Sequence, residues 1–400
     1  MSGHRPEVAD VFREHGAAYL KQSAVSRDQR RVLKDLSLCK TAALGGHKAT
    51  CDRCGHEEFF YNSCRNRHCP KCQGAARAKW LAAREAELLN THYFHVVFTL
   101  PDELGPLALQ NKRLVYGLLF RAAAETLRTI AADPKHLGAE IGFLAVLHTW
   151  GQRLDHHPHV HCVVPGGGFS ADRSRWISAR ETFFLPVKVL SKHFRHTFLS
   201  YLTKAFQDGE LEFHGRLADL REPLQWGRFI EALPKKWVVY SKPPFGGPEL
   251  VLKYLARYTH RVAISNQRLL SLKDGKVTFQ YKDYHAGTER TMTLDATEFI
   301  RRFLLHVLPS GFQRIRHYGF LANRVRKDRI ALCRTLLGAP QTALSEGQPQ
   351  SSDDTPDPSE TPQPDPLCPA CKEGRLTYVR ELSRDSNAAF ALLPWIHDTS

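Results

Sequence analysis

Five of the ten cysteines of this 400-residue chain fall between Cys51 and Cys72. Two C-x2-C turns, Cys51-Asp-Arg-Cys54 and Cys69-Pro-Lys-Cys72, stand 14 residues apart. That spacing is close to a zinc ribbon, in which each turn presents two thiolates to one tetrahedral ion. Gly55 suits the turn after the first pair, and Phe59-Phe60-Tyr61 suits a short strand between the pairs. The spacing therefore predicts structural Zn2+ on Cys51, Cys54, Cys69 and Cys72, with Cys64 and His68 as spare ligands. Four thiolates leave no open coordination position, so such an ion holds the fold rather than catalysing. A further pair, Cys368 and Cys371, has no matching pair downstream; the one later candidate ligand is His397.

Charged residues at 24% and hydrophobic residues at 42% exclude a wholly disordered, collagen-like or membrane-bundle chain. No run approaches the roughly 20 apolar residues of a membrane span, and Met1 to Tyr19 lacks the apolar core of a signal peptide. The expected location is the cytoplasm. Lys and Arg number 56 against 41 Asp and Glu, a net charge of +15. Such an excess makes a polyanion the leading partner. Between residues 341 and 366 there is no Lys or Arg, and six acidic residues leave the rest of the chain at +21. That Pro- and Ser-rich segment reads as a disordered linker.

The remaining elements follow from periodicity. Helices are expected over Pro6–Leu38, Arg77–Asn90, Asn111–Ala132, Phe194–Phe206, Glu249–Val262 and Thr297–Leu308. Strands are expected over His92–Leu100, Ile141–Gln152, His159–Pro165 and Lys236–Ser241, with a hairpin of Val277–Lys282 and Thr291–Leu294.

Within His157-Pro-His159-Val-His161-Cys-Val-Val, strand alternation puts His159 and His161 on one face and Val160, Cys162 and Val164 on the other. Two adjacent imidazoles can hold one divalent metal. With 21 histidines in the chain, the pattern alone is weak. A hairpin would bring the end of the preceding strand beside His159, which makes Gln152 the expected third ligand, with Asp155 and His148 behind it. Farther on, Tyr254 and Tyr258 are i and i+4 on one helical face, flanked by Lys253, Arg257 and Arg261, which could hold phosphates. An apolar stripe of this spacing usually packs in a core. Arg314 and Arg316 lie in a stretch where Arg alternates with Phe312, Tyr318 and Phe320, a pattern suited to phosphate contact with base stacking.

Together these stretches resemble a known family. Two histidines around one hydrophobic residue on a strand, then Tyr-x-x-x-Tyr on a later helix, resemble the HUH endonucleases. The chain as a whole is similar to rolling-circle transposases of the insertion sequence 91 type. The resemblance rests on Asn62–Cys72, His95–Pro101, His148–Gln152, His157–Gly168 and Tyr254–Asn266, and covers roughly residues 5–335. It implies an α+β fold: a central antiparallel sheet with helices packed on it, preceded by a small zinc ribbon. The implied domains are 1–90 (N-terminal helix and zinc), 91–340 (catalytic, with a basic C-terminal part), the linker 341–366 and a tail 367–400.

The implied activity is nicking and rejoining of single-stranded DNA at the ends of a mobile element and at a target. Mg2+ or Mn2+ would sit on His159, His161 and Gln152, with Tyr254 and Tyr258 as nucleophiles forming a 5′-phosphotyrosine. A covalent link conserves bond energy, consistent with the lack of a nucleotide-binding G-x-x-x-x-G-K-[ST] loop. No membrane partner is implied, and the oligomeric state is left open. Other readings are a plasmid replication initiator or relaxase with the same chemistry, and a non-catalytic zinc-finger regulator.

Overall fold

The computed structural model describes residues 5–242, 250, 262–283, 286–338 and 365–393. Its first helices are α1 (Val8–Gln22) and α2 (Arg27–Leu38). The single helix expected over Pro6–Leu38 is therefore two. Ser23 is extended, and Ser26 starts a new helix: its hydroxyl accepts from the Gln29 N–H while the Gln29 side chain accepts from the Ser26 N–H. This reciprocal cap satisfies two donors that a helix start leaves open.

Strands β1 (Gly46–Cys51) and β2 (Glu57–Tyr61) form a hairpin, followed by α3 (Gln73–Glu85) and β3 (Tyr93–Thr99). Next come α4 (Gly105–Gln110), α5 (Lys112–Ala132), β4 (Phe143–Trp150) and β5 (His156–Pro165). After the short pair β6 (Gly167–Phe169) and β7 (Trp176–Ser178) follow α6 (Val187–Gln207), α7 (Pro223–Ala232) and β8 (Val239–Lys242). The later part holds β9 (Leu269–Lys273), β10 (Lys276–Asp283), β11 (Thr288–Asp295), α8 (Ala296–Leu305), β12 (Ile315–Tyr318) and α9 (Arg326–Leu336). Beyond them are β13 (Leu376–Leu382) and α10 (Ser386–Leu392).

The fold is α+β. Its central sheet has five strands in the order β12-β4-β5-β3-β8, with every neighbouring pair antiparallel. One face is apolar: Phe94, Val96 and Phe98 of β3, Ala145 and Leu147 of β4, and Val160, Cys162 and Val164 of β5 are buried with α5 and α6. The reason is strand alternation, which sends these side chains one way and the intervening histidines the other. No helix among the described residues is long and apolar enough to cross a membrane.

A second core was not visible in the sequence. Val8, Val11 and Phe12 of α1 and Leu33 of α2 pack with Val277 and Phe279 of β10 and with Phe299, Ile300 and Phe303 of α8. Phe12 meets Phe303 edge-on at 5.2 Å. The N-terminal helices thus share a core with the three-stranded sheet β11-β10-β9. Leu376–Leu382 (β13) adds to the outer side of β1, so this part of the tail lies on the first hairpin. The linker expected over 341–366 falls, apart from Asp365 and Pro366, outside the described residues.

Candidate active site

His159 and His161 lie on β5, the central strand of the sheet, and face away from the apolar core. On β4 the register sets His148 directly opposite His159. One ring nitrogen from each of His148, His159 and His161 lies within 4.8 Å of the others. The ring centroids of His148 stand 5.5 Å from His159 and 4.5 Å from His161. Two of the rings are fixed at the far nitrogen. The Nδ1 of His159 bonds the His157 carbonyl at 2.6 Å, and Nδ1 of His161 is 2.8 Å from Nε2 of His95 on β3. A ring whose Nδ1 carries the shared proton turns its Nε2 lone pair towards a metal. Burial pushes His95 down to about 4, so it stays neutral around pH 7.

Beyond His148, the ladder between β4 and β5 is irregular, and the turn Gly151–Asp155 crosses the end of the site. Trp150 stacks on His148 at 4.7 Å. Leu154 takes a left-handed φ of 61° with its side chain wholly buried in the second core. Such a conformation is costly for a branched residue, and here packing holds it. Behind the turn His306 is buried, 3.2 Å from the Leu154 carbonyl through Nε2 and 3.3 Å from the Thr149 hydroxyl through Nδ1. Its burial pushes it down to about 3.

The histidines open into a cavity of about 600 Å3. Its far wall comes from the second sheet and its lead-in: Arg268, Tyr281, Lys282, Asp283 and Arg290. Arg290 pairs with Asp283 at 3.3 Å, and Arg268 donates to the carbonyls of Gln152 and Gln280. Several cations and two aromatic rings thus border one cluster of imidazoles, an arrangement suited to a phosphate flanked by bases.

Gln152 lines this cavity from the turn, but the third imidazole of the cluster is His148. The expectation placed Gln152 on the strand; the strand ends at Trp150, strand pairing sets His148 opposite His159, and Gln152 faces the same cavity from the turn. Arg314 differs from its expected phosphate-binding role more sharply. It is only 8% exposed, and burial lowers its pKa to about 10. Arg316 pairs in register with Ala145, which puts it on the helix-covered face, opposite the histidines; its guanidinium lies 4.2 Å from the Phe120 ring of α5. Tyr254, Tyr258, Lys253, Arg257 and Arg261 lie outside the described residues.

The cysteines depart from the single ribbon. The pair Cys69 and Cys72 meets Cys39 and Cys64, whereas Cys51 and Cys54 meet Cys368 and Cys371. The physical cause is the β1–β2 hairpin, which carries the first turn away from the second, while the end of α2 brings Cys39 to it. In the first cluster Sγ of Cys72 is 3.2 Å from Cys39 and 3.5 Å from Cys64. His68, a spare candidate, is no part of either cluster. The sequence reading missed Cys39 and gave His95 no role. A lone cysteine just after an amphipathic helix was the available signal for Cys39.

The chain is similar to known proteins over most of its length. The family model "Transposase zinc-binding domain" matches residues 11–100, and "Putative transposase" matches residues 142–329. A protein of Sinorhizobium fredii named "Putative transposase y4qJ" is 58% identical over 95% of this chain and 96% of its own length. The transposase for insertion sequence element IS801 of Pseudomonas savastanoi pv. phaseolicola is 30% identical over 77% of this chain and 74% of its own. Among solved structures, TrwC complexed with a 27-mer DNA comprising the recognition hairpin and the cleavage site is 13% identical, with a TM-score of 0.22. That alignment covers 60% of this chain and 73% of the chain in that structure. On the strength of its two domain matches and these sequence relatives, the chain belongs to the transposase family of the insertion sequence 91 type.

Proposed function

We propose that the protein is a metal-dependent single-strand DNA endonuclease and strand transferase that nicks and rejoins DNA through a 5′-phosphotyrosine. The observation that carries this reading is the convergence of His148, His159 and His161 on one cavity, two of them oriented from behind by hydrogen bonds. Three imidazoles can hold one divalent ion, proposed here as Mn2+ or Mg2+, and leave positions open for phosphate oxygens, while the cationic rim suits the DNA backbone. When bound, the ion supplies Lewis-acid polarisation of a phosphate oxygen. The rest of the work falls to the chain. Arg268, Lys282 and Arg290 border the cavity and hold the DNA backbone, and Trp150 and Tyr281 offer faces for bases.

Tyr254 and Tyr258 are the proposed nucleophiles, with Lys253, Arg257 and Arg261 beside them in sequence. A tyrosine hydroxyl gives up its proton to solvent as its oxygen bonds to phosphorus, the P–O3′ bond breaks, and the departing 3′-oxygen takes a proton from solvent to become a hydroxyl. Phenol has a pKa near 10, so its ionisation at pH 7 costs about 4 kcal/mol. Positive charge at the site offsets that cost. Two tyrosines allow one strand end to be held while a second is cut or received. The partners are single-stranded DNA at the element ends and target DNA. Structural Zn2+ is assigned to Cys39, Cys64, Cys69 and Cys72, whose all-sulfur donor set suits it.

The test uses oligonucleotides carrying an element end, labelled at either terminus, with Mn2+. Strand cleavage should require the metal and vanish in the Tyr254→Phe, Tyr258→Phe double variant. Cleavage that survives that double substitution contradicts the tyrosine mechanism.

A further inference from the structure

The zinc-binding domain matched at residues 11–100 contains six cysteines. Four of them, Cys39, Cys64, Cys69 and Cys72, converge, which leaves Cys51 and Cys54 as half a site. We propose that these two, with Cys368 and Cys371 from the other end of the chain, hold a second structural zinc ion that clasps the C-terminal tail to the N-terminal module.

The geometry is that of a tetrahedron. The four sulfurs lie within 4.8 Å of one another. Cys51 to Cys371 and Cys54 to Cys368 are both 3.7 Å. With zinc–sulfur bonds of about 2.3 Å, a tetrahedral edge is about 3.8 Å. A disulfide needs about 2.05 Å, and none of the four is in a disulfide.

The two half-sites are built alike. In each, the residue after the second cysteine takes a left-handed φ, 72° at Gly55 and 59° at Lys372. In each, backbone N–H groups point at sulfur: Arg53 and Cys54 at Cys51 (3.4 and 3.5 Å), and Gly374 at Cys371 (3.3 Å). Such donors favour thiolate. Gly374 has no room for a side chain, because a Cβ there would stand 2.5 Å from the Cys51 sulfur.

The module has little apolar core of its own. Its core is Ala49, Cys51, Cys368 and Leu376, with Phe60 and Cys371 against it, while Phe59, Tyr378 and Val379 are exposed. So small a core usually needs a metal or disulfide. The tail is nonetheless knitted in: β13 pairs with β1 from Gly46 opposite Leu382 to Cys51 opposite Leu376, and Asp52 accepts from the Arg375 N–H at 2.9 Å. Arg53 pairs with Glu373. The sulfurs joined are more than 300 positions apart in the chain, so the module is complete only when its last strand is present.

The experiment is Co2+ titration of the full-length apoprotein, read by thiolate-to-metal charge-transfer absorption, which a histidine site does not produce. Saturation is expected at two equivalents in the wild type and at one in the Cys368→Ser, Cys371→Ser variant. Zinc content of the purified protein should fall by one equivalent in the same variant, and limited proteolysis should then cut within residues 365–393. A wild-type chain that saturates at one thiolate-bound equivalent overturns the proposal, even if the variant fails to fold. So does a folded variant that still takes up two.

Discussion

His95→Phe deletes a hydrogen-bond partner from a buried ring while keeping the ring. The imidazoles of His95 and His161 lie nearly coplanar, with centroids 5.0 Å apart and planes 9° from parallel, as the 2.8 Å bond between them requires, and both residues are buried. Phenylalanine keeps an aromatic ring in the buried position but cannot accept from Nδ1 of His161. The His161 proton then has two outcomes. It stays on Nδ1, buried without this acceptor, at a cost of about 1–3 kcal/mol. Or it moves to Nε2 and removes the lone pair that faces the cluster. Loss of such an orienting partner weakens metal binding about 10- to 100-fold, or about 1.4–2.7 kcal/mol. The assay is Mn2+ binding to the full chain, following the free ion by paramagnetic resonance, beside DNA cleavage at several Mn2+ concentrations. Excess Mn2+ should restore most of the lost rate, and His95→Gln, which keeps an amide acceptor, should lie between Phe and wild type. An unchanged Mn2+ Kd in a folded His95→Phe chain refutes the orienting role.

Other outcomes are expected from the same geometry. His148→Ala should cut Mn2+-dependent cleavage by about 100-fold or more, since a ligand to a Lewis acid is lost; Gln152→Ala should stay close to wild type, and the reverse order would restore Gln152 as the ligand. Phe303→Ala should cost about 3–5 kcal/mol in urea unfolding, because its ring joins α1 to α8; a cost below about 1 kcal/mol would deny that shared core. His306, held down to about 3 in the fold, binds fewer protons than in the unfolded chain between pH 6.5 and 3. Its contribution is therefore complete above pH 6.5 and is lost at about 1.4 kcal/mol per pH unit as the pH falls through that window. His306→Leu should thus cost most at pH 8, and the gap in Tm from wild type should narrow by pH 5; a constant gap would contradict the buried neutral state.

The alternation of His159 and His161 with Val160 and Cys162 was legible because a strand has a period of two, and one side of β5 is continuously apolar. The third imidazole was less so. His148 was on the correct face, but only the register of β4 against β5 sets it opposite His159. Gln152 lies past the end of that strand and borders the cavity from the turn, a position that periodicity does not report. The cysteine partners were hidden for a related reason. Spacing reports which sulfurs share a turn, and it does not report which turns meet across more than 300 residues. Basic residues were the least legible. Arg314 and Arg316 look alike in sequence, yet one is buried and the other lies across the phenyl ring of Phe120. Cations stack and bury as readily as they bind phosphate once their stems cover apolar surface.

The most direct measurement is mass spectrometry of the protein after reaction with element-end single-stranded DNA and Mn2+, followed by nuclease and protease digestion. A nucleotide phosphate joined through its 5′ side to Tyr254 or Tyr258, absent in the His159→Ala, His161→Ala variant, is the predicted result. Cleaved DNA with no covalent peptide, or an adduct on any other residue, would contradict it.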